Sequence, residues 1–269
     1  MNILITGGNG YIAQGICNHL NKKHNITSVS RGNFHLTDYA ATRGWFRGRE
    51  YDVVVHTAAC GGNRLRTNNY CTYEDNMKMF NNLVASRHSF KKLITFGSGA
   101  EMFHDSTPYA NSKRDIAKQI ENLDGFYNLR IFGVFDENEL STRFIKANIL
   151  RYIKKEPMII HTNKIMDFIY MQDLISIVKY YITNVDLEKD INCCYQEKYT
   201  LKTIANMINS LGNHNVPIVV ENKTKLEFYC GESSEIPMKM IGLKTGIDLT
   251  FQEILNKFNL HNSGDLNNA

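Results

Sequence analysis

None of the six cysteines, Cys17, Cys60, Cys71, Cys193, Cys194 and Cys230, stands in a CxxC pair or at metal-ligand spacing with a histidine. Zinc ribbons and thioredoxin-like redox motifs are therefore excluded, and reduced, mostly buried thiols are expected. No uncharged apolar run approaches the ~20 residues that a membrane span needs. The first apolar run begins at Ile3 with no basic segment before it, so no cleavable signal is expected either. Charge bias is also missing, since 31 basic and 27 acidic residues leave a net +4. The basic residues are scattered rather than striped, which points away from nucleic acid. No internal repeat is present. These absences lead to the expectation of a reducing, cytoplasmic setting. At 269 residues the chain can bury one large core, or one core with an appended lobe.

What is present is a rhythm of short apolar runs: Ile3 to Ile5, Ile26 to Val29, Val53 to Val55, Leu93 to Phe96 and Phe126 to Phe132. Helix-like segments separate most of them, and in residues 11–23 Ile12, Ile16 and Leu20 recur four apart. Continuous apolar strands alternating with amphipathic helices predict an α/β fold, a doubly wound parallel sheet of Rossmann type covered on both faces. Beyond about residue 135 the pattern shifts to longer helices, Thr142 to Lys155, Asp173 to Thr183 and Thr200 to Leu211, with a strand candidate at Met158 to His161. The expected division is a dinucleotide-binding domain over 1–135, to which 166–184 returns, and a smaller, discontinuous substrate lobe over 136–165 and 185–269. The tail from His261 to Ala269 has little to bury and is expected to be mobile.

The first strand runs into TGGNGYIA, where Gly7, Gly10 and Ala13 take the three small positions of a dinucleotide fingerprint, with Tyr11 and Ile12 at the helix start. Glycine permits the tight turn and the close approach of backbone to a pyrophosphate, and the helix start offers N–H groups to the anion. At the end of the second strand, ITSVSRG carries Ser30 and Arg31 where a carboxylate would hold the ribose hydroxyls. An arginine there pairs with a 2′-phosphate, so NADP(H) is favoured over NAD(H).

In FGSGAEMFHDSTPYANSK, Tyr109 and Lys113 are four apart, on one face of a helix opened by YANSK. A nearby ammonium favours the phenolate of a tyrosine whose reference pKa is near ~10. Ser98 ends a parallel strand, where such sheets bind ligands. Together with HTAA at His56 to Ala59, Asn76 in YEDNMKMFNNLV, NLRIF at Asn128 to Phe132 and DFIYMQDL at Asp167 to Leu174, these residues resemble the extended short-chain dehydrogenase/reductases acting on nucleotide sugars. The resemblance covers most of the chain. It implies Tyr109 as general acid/base, Ser98 as a partner of the reacting oxygen, Lys113 on the nicotinamide ribose, and Asn76 in support. It also implies cofactor contacts from Asp38, Ala58 and Ala59, substrate contacts from Ser98, Gly99 and Ala100, a nucleotide-sugar partner, and a homodimer. Phe80, Ile116 and Ile120 are candidates for core or for that interface.

Within the family, AACGG at Ala58 to Gly62, FGSGAEM and SRGNFHLTD are most similar to the GDP-fucose synthase branch and related 4-keto-6-deoxy-sugar reductases. That branch carries a cysteine two places after the serine and a histidine in the following lobe. Here those positions hold Ala100 and, in ELSTRFIKANI, Arg143 or a neighbour, and neither alanine nor arginine moves a proton at neutral pH. The resemblance thus implies carbonyl reduction without 3,5-epimerisation. Met166 stands where relatives have an arginine for the substrate diphosphate, which leaves Lys164 or Arg143 to supply that charge. A 4-epimerase with tightly held NAD, a 4,6-dehydratase and a non-catalytic NADP-binding subunit are the rivals. The dehydratase is disfavoured because only Ser-Thr-Pro, without an acidic pair, precedes Tyr109.

Overall fold

The computed structural model describes residues 1–62, 70–103 and 106–264. In chain order its elements begin with β1 (Asn2–Thr6), α1 (Tyr11–Leu20), β2 (Asn25–Val29), α2 (Tyr39–Phe46), β3 (Tyr51–His56), α3 (Tyr70–Ala85), β4 (Phe90–Ser98), α4 (Pro108–Ile120) and β5 (Phe126–Ile131). They continue with β6 (Val134–Phe135), α5 (Phe144–Ile153), β7 (Met158–Met166), β8 (Ile169–Tyr170), α6 (Met171–Thr183), β9 (Asp190–Asn192), α7 (Leu201–Asn209), β10 (Ile218–Tyr229) and α8 (Leu243–Gly264). Two compact units result, one of residues 1–131 and 175–193, the other of 132–174 and 194–269. Of the tail, residues to Gly264 continue α8, and 265–269 lie outside the described residues.

The first unit is built on a six-stranded sheet in the order β2-β1-β3-β4-β5-β9, every pair parallel. The central strands β1, β3 and β4 are apolar over most of their length because both faces are covered, and Ile3, Leu4, Ile5, Val54 and Leu93 have no accessible surface. Helix α1 buries Ile16 and Leu20 of the four-residue series together with Ala13, while Ile12 is half-buried. It stops at Leu20 rather than at residue 23, because the polar Asn21 to His24 fold into a turn in which Lys23 and His24 both donate to the Leu20 carbonyl. Helix α4 begins one residue before YANSK, with Thr107 accepting from the Ala110 N–H and Pro108 in its first turn. Phe80 of α3 and Ile116 and Ile120 of α4 are core residues of this unit. Each such buried side chain contributes about 1.5–3 kcal/mol.

The second unit pairs β7 with β10 and β6 with β8, both in parallel. Tyr152, Phe135, Ile149, Ile204 and Ile247 form its core with Met158 and Ile160. The two acids of DFIYMQDL pin backbone here. Asp167 accepts from Lys198 Nζ with both oxygens, at 2.9 and 2.8 Å, and from the Gly231 N–H at 2.8 Å. Asp173 accepts from the Tyr195 hydroxyl and from the N–H groups of Ile241 and Gly242.

Among the described residues no helix is long and apolar enough to cross a membrane, and no group of three or more His, Cys, Asp and Glu is placed to hold a metal. The cysteines are all free, but only Cys193 and Cys194 are buried. The expectation of mostly buried thiols is thereby corrected. Cys71 is exposed at the start of α3, while Cys17, Cys60 and Cys230 are half-buried.

Glu139, ahead of α5, is buried with its Oε2 unpartnered among the described residues. Burial pushes its pKa from 4.5 up to about 8, against the pull of Arg143. A carboxyl whose folded pKa is raised stabilises fully below its unfolded pKa, and that contribution is lost as pH rises through the folded value. The contribution of Glu139 to thermal stability is therefore expected to fall between about pH 4.5 and 8. Glu139→Gln should flatten that slope and raise the melting temperature at pH 8.5, and an unchanged melting curve across this window would contradict the assignment.

Candidate active site

Strand order reverses between β1 and β3, which opens a crevice beyond their carboxyl ends. Thr6 lies opposite His56 across that pair, so the glycine turn and the segment after His56 meet by register alone. The Thr57 hydroxyl donates to the Thr6 carbonyl at 2.7 Å, and the Thr6 hydroxyl is 2.8 Å from His56 Nδ1. Burial, aided by Lys113, pushes His56 down to about 3, so its ring is neutral. A cleft of about 1140 Å³ fills the crevice. Gly7, Gly10, Arg31, Ala58 and Ala59, all expected at the cofactor, line it.

Gly7 has φ +70°, and a Cβ there would lie 2.7 Å from the Ala58 nitrogen. A Cβ on Gly8 would collide with Ser28 Oγ. Gly7 is thus required by close backbone approach as well as by turn geometry. Gly10 caps α1 without a side-chain acceptor, and it lines the cleft, so the positive end of the helix dipole faces the cavity. Tyr11 and Ile12, the next two residues, are half-buried in the first turn of α1 and do not line the cleft. Asp38 does not line it either, and its carboxylate accepts from the Ala41 N–H and caps α2.

Asn76 pins the loop after β3. Its Oδ1 accepts from the Cys60 N–H at 2.7 Å, and its Nδ2 donates to the Cys60 carbonyl at 3.0 Å and to Ser112 Oγ at 2.9 Å. One buried amide thus ties the cleft wall to α4. Two residues on, Gly62 (φ +71°) lies against Tyr109, and a Cβ there would come within 2.9 Å of Tyr109 Cζ and 3.1 Å of its hydroxyl. Lys113 sits over the same ring, its Nζ 5.9 Å from the centroid, and donates to the Phe96 carbonyl at 2.7 Å. Burial holds its pKa below the usual lysine value, with Glu101 opposing.

Ser98 ends β4 and opens a single 3₁₀ turn, Gly99–Glu101. Its Oγ accepts from the Ala100 N–H at 3.3 Å, and Glu101 Oε1 accepts from the Ser98 N–H at 2.6 Å. Glu101 is buried, and its Oε2 accepts from Arg130 Nε at 2.8 Å and from Asn128 Nδ2 at 3.3 Å. Arg130 also reaches Asp190 and Asn192 of β9. Gly97 makes room, since a Cβ there would stand 2.5 Å from Glu101 Oε1. Burial raises the Glu101 pKa, opposed first by Arg130.

The remaining expected site residues belong to the second unit. Arg143 is the N-cap of α5, its Nε 3.9 Å from Glu139 Oε1, and Lys164 of β7 lies 5.6 Å over the Tyr229 ring. Residues not singled out from sequence are Gly62, Glu101, Arg130 and Asp75. Three of them, Gly62, Glu101 and Asp75, stand inside the motifs AACGG, FGSGAEM and YEDNMKMFNNLV, and Arg130 stands inside NLRIF; that membership is the available signal.

A dinucleotide fits the first unit on two observations: a cradle that a Cβ on Gly7 would fill, and a helix start facing the same cavity. The sequence matches the model of the NAD dependent epimerase/dehydratase family over residues 3–194, more than half of the chain. No curated protein matches it by sequence. Among solved structures, a GDP-L-fucose synthetase from Naegleria fowleri bound to NADP is similar, with 18% identity and TM-score 0.74 over 96% of this chain and 93% of that one. A GDP-mannoheptose C4 reductase from Campylobacter jejuni with NADP bound has 16% identity and TM-score 0.74, covering 93% and 97%. A UDP-glucose 4-epimerase from Thermus thermophilus in complex with NAD has 17% identity and TM-score 0.75, covering 95% and 99%. At these identities the likeness establishes a shared fold.

Gly62→Ala is expected to displace the Tyr109 ring and lower turnover by roughly tenfold or more, with the circular dichroism spectrum unchanged. Gly44→Ala in α2, where a Cβ meets nothing within 4 Å, is the control. Equal turnover of the two variants would show that the contact does not position the tyrosine.

Proposed function

We propose that this chain, which belongs to the NAD dependent epimerase/dehydratase family, is a nucleotide-sugar 4-ketoreductase. The substrate is a nucleotide-linked 4-keto-6-deoxy sugar, the cofactor NADP(H), and no 3,5-epimerisation accompanies the reduction. In this reading the first unit is the dinucleotide domain and the second the substrate lobe. The observation that carries it is the setting of Tyr109, between Gly62 of the cleft-wall loop and the buried Lys113. Arg31 on the cleft supports NADP(H), and Ala100, buried after Ser98, supports the absence of epimerisation.

Gly7, Gly10 and the start of α1 would hold the pyrophosphate, and Arg31 the 2′-phosphate. When bound, the nicotinamide supplies the hydride. The Tyr109 hydroxyl donates a hydrogen bond and then its proton to the sugar oxygen, and Ser98 Oγ bonds the same oxygen. The Lys113 ammonium favours the phenolate left behind and, released from the Phe96 carbonyl, has donors for the ribose. The bonds of Glu101 to Arg130 and to the Ser98 N–H support a role in anchoring the turn that carries Ser98. Arg143 and Lys164 are the proposed cations for the substrate diphosphate.

The 4-epimerase is the second reading, since the fold is shared with an NAD-complexed 4-epimerase. Cofactor behaviour separates the two: NADPH consumption supports reduction, and activity without added cofactor supports epimerisation. Screening NADPH oxidation against GDP-, dTDP-, CDP- and UDP-4-keto-6-deoxy sugars is the direct test. Tyr109→Phe should retain cofactor binding and lose turnover by roughly 10²–10⁴-fold, whereas near-normal turnover would refute its role. Arg31→Ala should lose the preference for NADP(H) over NAD(H), and an unchanged preference sinks that assignment.

A further inference from the structure

The end of β2 carries no acid, yet an acid reaches the cleft from elsewhere. Asp75, on α3, lines the same cavity as Arg31. The two side chains converge on one thiol, with Arg31 Nη2 3.8 Å from Cys60 Sγ and Cys60 Sγ 3.8 Å from Asp75 Oδ2. The backbone of Cys60 is held by Asn76 at both N–H and C=O. Asp75 and Arg31 act on the thiol with opposite sign, Asp75 helping burial to raise its pKa and Arg31 lowering it. Both charges are therefore felt at one thiol of the cleft wall.

We propose that Asp75 is a specificity-determining residue for the dinucleotide, an anion set against Arg31 that limits how much the cleft gains from a 2′-phosphate and accepts a hydrogen bond from a 2′-hydroxyl. The inference rests on the dinucleotide reading of the cleft. A phosphate brought to Arg31 is also brought towards Asp75, and like charges in partly solvated surroundings oppose one another. A hydroxyl meets no such penalty and can donate to the carboxylate. The pairing makes this a cleft for both NADP(H) and NAD(H), with the former only modestly preferred.

Dissociation constants for NADP+ and NAD+ are to be measured on the full-length wild type, Asp75→Asn and Arg31→Ala, at low and at high salt. In Asp75→Asn the preference for NADP+ over NAD+ should rise roughly three- to fivefold at low salt, and less at high salt, the size expected of one partly exposed charge. Asparagine keeps the shape and the hydrogen-bonding reach towards Cys60, so an unchanged preference together with wild-type affinities overturns the role of Asp75 alone. A wild-type chain that binds neither dinucleotide overturns the cofactor reading and this inference with it.

Discussion

Parallel pairing of β1 with β3, Thr6 opposite His56, is the contact on which the first unit's site depends. Strand order reverses there, so no helix crosses above the two carboxyl ends and a crevice is left. Gly7 must then turn away under the Ala58 backbone, where a side chain would collide. The segment leaving His56 becomes the opposite wall, and Asn76 fixes it at Cys60. From that fixed loop Gly62 reaches Tyr109. A register shift of one residue in this pair would turn every side chain of the strand to the other face and dissolve each of these contacts.

Buried charge is placed with the same economy of partners. Glu101 and Arg130 are both sheltered from water, which is costly for each ion, and each is compensated by several hydrogen bonds rather than by the ion pair alone. Asn128 and Arg130 lie two apart on β5, hence on one face, and both reach β9 through Asp190. The network connects the returning strand to the turn that carries Ser98. In the second unit Asp167 and Asp173 work in the same way, Asp167 accepting from one backbone N–H and Lys198, and Asp173 from two backbone N–H groups and Tyr195. Glu139 is the exception, with an oxygen unpartnered among the described residues, and its pKa rises accordingly.

Much of this architecture is legible in the sequence. The five leading apolar runs coincide with β1 to β5, and in the central β1, β3 and β4 the reason is that strands buried on both faces cannot alternate with polar residues. The helix period marks α1, and YANSK marks the start of α4 to within one residue. Elements that escape a sequence reading share a physical reason. β9 has three residues and exists only through its pairing with β5. β10 reads IVVENKTKLEFY, too polar in its middle to show a strand period, and is held by β7. Asp38 reads as a cofactor ligand in its motif, and the structure adds a local role, with one carboxylate oxygen capping α2.

Residue types at the glycine turn, the parallel α/β class and the order of motifs all follow from the chain alone, since short-range sterics and periodicity dictate them. So does Arg31 as the cation at the end of β2. Which groups share a cavity with that cation is a matter of three-dimensional packing. Asp75 stands 44 positions further along the chain and belongs to a helix, α3, so no local pattern links it to Arg31. Sheet order and the Asn76 clamp bring Asp75 and Arg31 to a common thiol, because an electrostatic environment is a sum over neighbours in space and not along the chain.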